Sequence, residues 1–273
     1  MALIAPALMA ADLARFGEAL EVIESAAAPM VHVDVADGHF TPLITVGQPV
    51  VKSLRRKTRL ALDVHLLIER PERYVVEFIE AGADRVAIHP ESTCQLNRAL
   101  ELIRTRGARA GLALNLATPV SSVADVLGEV DFLTVLCGAA GVDLGQPPPQ
   151  LGNEERGTTH AGSARPVQSS GAAQETMAST SSGRPGLERK AAWPSRASLE
   201  KIRAAVRARQ DRALGFAIVA EGGVSLENCE ELLTAGADIL VAGSAIFHTD
   251  NPKTQLMEFI RLAAKGAVAS DHQ

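Results

Sequence analysis

Short apolar runs alternate with longer amphipathic stretches along most of the chain. The runs at 3–7, 31–35, 60–66, 85–88, 110–115, 132–137, 216–220 and 239–242 read as strands. Between the first two, Leu13, Phe16, Ala19, Leu20 and Ile23 recur at helical spacing and predict a helix within 12–27. Further helices are expected within 44–57, 71–81, 95–105, 120–127, 198–207, 226–235 and 252–263. Pro71 suits a first helical turn. Parallel strands need crossover helices, and strands covered on both faces read as near-continuous apolar runs. Eight such units close a (β/α)8 TIM barrel, and a doubly wound open sheet is the alternative.

Two features bear on that architecture. The tetrapeptide Ala-Gly-Ala-Asp occurs at 81–84 and again at 235–238, each copy just before a predicted strand. In each, the glycine can close the preceding helix. Residues 145–192 break the rhythm, being rich in Gly, Ser, Thr, Pro and Gln with almost no apolar periodicity. Such a segment cannot bury enough surface to offset its ordering entropy. It is expected to be a disordered insertion after the sixth strand, within a single barrel domain spanning 1–273.

Two strands carry polar residues in a regular pattern. In Val31-His32-Val33-Asp34-Val35, alternation sets His32 and Asp34 on one face and the valines on the other. In Leu62-Asp63-Val64-His65-Leu66, Asp63 and His65 likewise share a face. Valines suit the helix-covered side, so the polar pairs are expected to point into the barrel near its C-terminal mouth. Buried imidazoles and carboxylates need partners. A divalent ion can serve several at once, and this donor mixture suits Zn, Fe, Mn or Co. A hydrogen-bonded cluster without metal is the other reading. His39 and His89 follow strands two and four, where each either touches substrate or lies in an ordinary loop. Glu221-Gly222-Gly223 and Gly243-Ser244-Ala245 follow strands seven and eight, the usual place for a barrel's phosphate site. Two tight turns would read the same way.

Composition narrows the partners. A length of 273 residues suits one barrel, and with 47% apolar but only 3% aromatic residues the core must come from Ala, Val, Leu and Ile. The net charge of -5 and scattered basic residues argue against nucleic acid. Cys94, Cys137 and Cys229 lack paired or metal-like spacing and read as reduced thiols in a cytoplasmic protein. No stretch approaches the roughly 20 apolar residues of a membrane span.

The stretches Ile4-Ala5-Pro6, 31–55, 62–74, Ala81 to Asp84 with His89-Pro90-Glu91, 112–119 and 235–247 together resemble the ribulose-phosphate 3-epimerase family. The resemblance implies a (β/α)8 barrel that interconverts ribulose 5-phosphate and xylulose 5-phosphate, usually as a homo-oligomer. It implies one divalent metal on His32, Asp34, His65 and Glu221, with Asp34 and Glu221 as the acid/base pair. Gly222, Gly223, Gly243 and Ser244 would hold the phosphate, and His65 would also line the substrate site. The chain departs from the family pattern in several places. Glu221 stands where the family has aspartate, Ala7 where it has serine, and Ala36, Leu67 and Leu136 where it has capping methionines. The loop beginning at Ala139 lacks the usual glycine-rich sequence. A second reading is therefore a weakened or inactive relative that binds a metabolite or a protein.

Overall fold

The computed structural model describes residues 2–138 and 194–269. The insertion expected at 145–192 lies outside the described residues, as does the loop from Ala139.

Eight strands form: β1 (Leu3–Pro6), β2 (Met30–Ala36), β3 (Ala61–Leu67), β4 (Arg85–Ile88), β5 (Arg109–Leu114), β6 (Phe132–Leu136), β7 (Ala217–Glu221) and β8 (Ile239–Ala242). All pair in parallel in the order β1-β8-β7-β6-β5-β4-β3-β2. A parallel bridge between Ala7 and His32 spans the remaining seam between β1 and β2. The sheet is thereby a TIM barrel, as the eight apolar runs require.

The helices are α1 (Phe16–Ser25), α2 (Gln48–Arg55), α3 (Val75–Glu80), α4 (Leu96–Thr105), α5 (Arg196–Asp211), α6 (Leu226–Ala235), α7 (Ser244–Phe247) and α8 (Pro252–Ala269). The short helix expected at 120–127 is a 3-10 helix, Val120–Glu129. Val120, Val123 and Val126 recur every three residues, and a 3-10 turn stacks i and i+3 on one side. Val120 and Val123 are buried and Val126 packs beside them. The four-residue α7 was not read from the sequence, because it is too short to show periodicity.

The barrel wall has two apolar faces. Outside, Val31, Val33, Val35, Val64 and Leu66 pack under the helices. Inside, Ala5, Met30, Ala87, Ala113, Phe132, Val219, Ile239 and Val241 fill the lumen. Three of these eight are alanines, and Phe132 is the one large ring among them. A Cβ on Gly111 of β5 would lie 2.2 Å from Phe132 Cζ, so the ring occupies the volume that a side chain would take. The Arg85 guanidinium stacks 3.9 Å from the centre of that ring.

The repeated tetrapeptide has a structural role. Leu62 N donates to Asp84 Oδ2 at 2.8 Å, and Ile218 N donates to Asp238 Oδ2 at 2.7 Å. Each aspartate thus latches the start of its own strand to the strand before it. Each also receives an arginine from the helix preceding that neighbour, Arg55 in one case and Arg209 in the other. Gly82 and Gly236 have φ of 114° and 107°, a left-handed backbone that favours glycine. Asp131 makes the same latch to Ala110 N at 2.8 Å without the tetrapeptide.

Gly111→Ala should lower stability by roughly 1–3 kcal/mol, because the new methyl has no room beside a ring pinned by Arg85. Urea unfolding checks this. The loss should shrink below about 1 kcal/mol in a Phe132→Val background, where the ring is gone. An unchanged midpoint for the single variant would contradict the packing argument.

Candidate active site

The pairing of β2 with β3 sets His32 level with Asp63 and Asp34 level with His65. Every imidazole in this row therefore has a carboxylate on the adjacent strand. His32 Nδ1 lies 2.8 Å from Asp63 Oδ2, and its Nε2 lies 3.3 Å from Asp34 Oδ1. His65 Nδ1 lies 3.1 Å from Asp34 Oδ1. Thr45 fixes the end of β2, donating to the Asp34 carbonyl and accepting from Ala36 N.

Glu221, the last residue of β7, completes the group. Its Oε1 lies 3.0 Å from His65 Nδ1 and its Oε2 lies 3.6 Å from His32 Nε2. The longer glutamate arm is turned into the cluster, and β7 is held there by Cys137 N, which donates to the Glu221 carbonyl. One donor atom from each of His32, Asp34, His65 and Glu221 lies within 4.8 Å of the others. The buried Glu221 Oε2 has no hydrogen-bond partner.

The electrostatics follow from this crowding. Burial disfavours charge on His32, but Glu221 and Asp34 outweigh it and raise the imidazole well above its ordinary value. Burial is likewise overcome at His65, which Glu221 and Asp34 lift to about 9. Asp34 is pushed below the usual carboxylate range, since the two histidines outweigh its burial. Two carboxylates thus hold protons on two imidazoles. A divalent cation offers the same positive charge to the same atoms, so proton and metal compete for the nitrogens. With two imidazoles, two carboxylates and an acceptor oxygen lacking a partner, the donor set fits Zn, Fe, Mn or Co.

Asp63 faces inward as its alternation requires, yet it stands behind the cluster. Its Oδ2 meets His32, and its Oδ1 accepts from Arg85 Nε at 2.8 Å. Burial pushes the Asp63 carboxyl up, but the His32 hydrogen bond and the Arg85 charge bring it down to about 2. Arg85 escaped the sequence reading. Its only signal was a charged residue opening the apolar run Arg85-Val86-Ala87-Ile88. His89 is fully buried and belongs to the site's wall: its Nε2 lies 2.9 Å from His65 Nε2 and its ring stacks on His65 at 5.0 Å. Burial lowers the pKa of His89, and its Nδ1 stands 3.3 Å from Glu91 Oε2. His39, by contrast, is exposed, with its ring against the Asp37 carbonyl.

The loops after β7 and β8 come together. Gly223 and Ser244 line one open cleft with Ser225, His248, Thr249 and Gln255. Gly222 is packed differently, since a Cβ there would lie 2.7 Å from Gly138 N. Gly243 is similarly confined, with Ala10 Cβ 3.0 Å from where its own Cβ would be. Ala36 pairs in register with Leu67, and Leu136 pairs with Glu221. All three are buried beside the cluster, where they supply an apolar surround.

Comparison with known proteins agrees with this geometry. A sequence profile of the Ribulose-phosphate 3 epimerase family matches residues 3–146 and 182–247. Ribulose-phosphate 3-epimerase of Treponema pallidum (strain Nichols) is 32% identical, over 89% of this chain and 90% of its own length. The Escherichia coli (strain K12) enzyme of the same name is 31% identical over 96% of each chain. Among solved structures, 3-hexulose-6-phosphate synthase from Salmonella typhimurium superposes with a TM-score of 0.58 at 15% identity, covering 97% of this chain and 100% of that one. KGPDC from Streptococcus mutans gives 0.61 at 12% identity, covering 97% and 98%. At such low identity these two structures speak for the barrel alone. No helix among the described residues is long and apolar enough to cross a membrane. With a profile spanning most of the chain and sequence relatives matched nearly end to end, the chain belongs to the ribulose-phosphate 3-epimerase family and is an isomerase of the epimerase type.

Proposed function

We propose that the protein inverts C3 of a ketose phosphate, with ribulose 5-phosphate and xylulose 5-phosphate as the substrate pair. One observation carries this reading: two carboxylates from distant strands, Asp34 of β2 and Glu221 of β7, converge on the same histidine nitrogen within one compact donor set. The relatives' names supply the substrate class. In this reading one barrel domain spans 1–273, with 145–192 inserted in it.

The carbonyl at C2 makes the C3 hydrogen removable, and inversion needs a base on one face and an acid on the other. Asp34 and Glu221 fill these roles, one taking the proton while the other, protonated, returns one from the opposite side. The reverse reaction exchanges their roles. Both carboxylates touch the same nitrogen of His65. His32, Asp34, His65 and Glu221 would hold the divalent ion. When bound, the ion supplies positive charge that stabilises the oxygens of the developing enediolate. The neutral rim of Ala36, Leu67 and Leu136 limits water near the exchanging proton. Gly222, Gly223, Gly243 and Ser244 would grip the phosphate, which contributes binding energy away from the reacting carbon.

Exchange of the C3 hydrogen of ribulose 5-phosphate with D2O, followed by NMR with Mn, Zn, Fe or Co supplied, tests the reading. Asp34→Asn and Glu221→Gln should each slow exchange by about 10²–10⁴-fold. An absence of exchange with all four metals would overturn the assignment and favour the binding-module alternative.

The raised histidines give a second test. At pH 7, loading the ion should release about two protons, one from His32 and one from His65. Calorimetry in buffers of different ionisation enthalpy measures the number. Release of none would mean that the ion binds elsewhere.

A further inference from the structure

Below the four-residue cluster, the barrel holds a second row of buried polar groups that the acid/base chemistry does not use. Asp63 receives two donors at once, His32 Nδ1 on Oδ2 and Arg85 Nε on Oδ1, each at 2.8 Å. The side chains of His32, Asp63 and Arg85 are 2%, 3% and 6% exposed, so water cannot substitute for either partner. Arg85 is itself immobilised, its guanidinium lying on Phe132, whose ring fills the space beside Gly111. We propose that Asp63, oriented by Arg85, is a positioning residue that keeps the proton of neutral His32 on Nδ1 and leaves the Nε2 lone pair facing Asp34 and Glu221. What that lone pair binds rests on the metal reading above. The tautomer itself does not.

The argument is one of donors and acceptors. A carboxylate accepts at both oxygens, so it satisfies both neighbours without choice. An amide in its place cannot. With its oxygen toward His32, its NH2 meets Arg85 Nε–H head-on, donor against donor. With its NH2 toward His32, Nδ1 must become the acceptor, and the ring proton moves to Nε2, where it blocks coordination. Arg85 cannot act as an acceptor to relieve the conflict, since guanidinium carries donors alone. Backing of a ligating histidine by a hydrogen-bonded carboxylate is the general way in which its tautomer and orientation are set.

Two readouts test this. In ¹⁵N-histidine NMR of the metal-free protein, above the titration of His32, wild type should show the Nδ1–H form, and Asp63→Asn should shift toward Nε2–H. In Zn2+ titrations by competition with a chelating dye, Asp63→Asn should weaken binding by about 10–100-fold. Replacing Arg85 with methionine in the same protein removes the opposing donor. The Asp63→Asn/Arg85→Met double variant should therefore bind Zn2+ more tightly than Asp63→Asn alone. A merely structural role for Arg85 predicts the opposite, an additive loss. Arg85→Lys, which keeps a donor for Asp63, should stay within about threefold of wild type.

An unchanged tautomer and unchanged Zn2+ affinity in Asp63→Asn would overturn the inference, as would additive losses in the double variant. If Asp63→Asn does not fold, the NMR spectrum of Arg85→Lys decides, and loss of the Nδ1–H form there would refute the role given to Asp63. Wild-type protein that shows the Nδ1–H tautomer but binds no Zn2+ would support the positioning while refuting the metal reading.

Discussion

The site depends on one constraint, the level pairing of β2 with β3. Seven consecutive residue pairs run from Met30 beside Ala61 to Ala36 beside Leu67. Because side chains alternate, a slip of β2 by one residue would turn His32 and Asp34 out under the helices and bring Val31, Val33 and Val35 into the lumen, and the same slip of β3 would turn out Asp63 and His65. The valines prevent this, since their burial beneath the helices is what selects the register. The apolar outer face therefore holds the polar inner face in place. The arrangement inside follows at once, with an imidazole beside a carboxylate on every level of the row.

That row would be expensive to bury if its charges were unmatched. Here each imidazole has a carboxylate within hydrogen-bond reach, while Glu221 Oε2 and Arg85 Nη2 lack a hydrogen-bond partner. Glu221 is also the one member that comes from the far side of the seam between β1 and β2. Its extra methylene, relative to the aspartate of the family pattern, spans the distance to both histidines without any visible disturbance of β7, whose pairing with β6 continues through Leu136 and Glu221. The replacement of aspartate by glutamate thus leaves the carboxylate inside the cluster.

Legibility in the sequence follows the range of the interactions involved. The strands were readable because burial on both faces leaves a run of apolar letters, and β4 and β8 match the runs residue for residue. The inward orientation of His32, Asp34, Asp63 and His65 was readable because alternation is local. The helix at Val120 was readable, but a spacing of three fits a short α-helix as well as the 3-10 form it takes. The convergence of Glu221 came from family resemblance, since nothing local ties β7 to β2. The parts left unread depend on depth within the barrel. Whether His89 faces solvent or His65, and whether Arg85 meets Asp63, is decided by the stagger between β3 and β4, in which Asp63 lies level with Arg85 and His65 with Ala87.

The same stagger separates two kinds of polar chemistry along the barrel axis. At the strand starts, Asp84, Asp131 and Asp238 tie neighbouring strands together through backbone N–H groups, and two of them bind arginines. At the strand ends stand the groups that can exchange protons. Such a division between a stabilising floor and a reactive mouth is general for this fold. What is particular here is a chain of contacts joining them. Phe132 supports Arg85, Arg85 holds Asp63, Asp63 holds His32, and His32 faces the two carboxylates. Each link is a side chain with few alternative positions, because the lumen around it is closely filled. Packed contacts thus run without a break from the aromatic ring at the strand starts to the imidazole of the cluster.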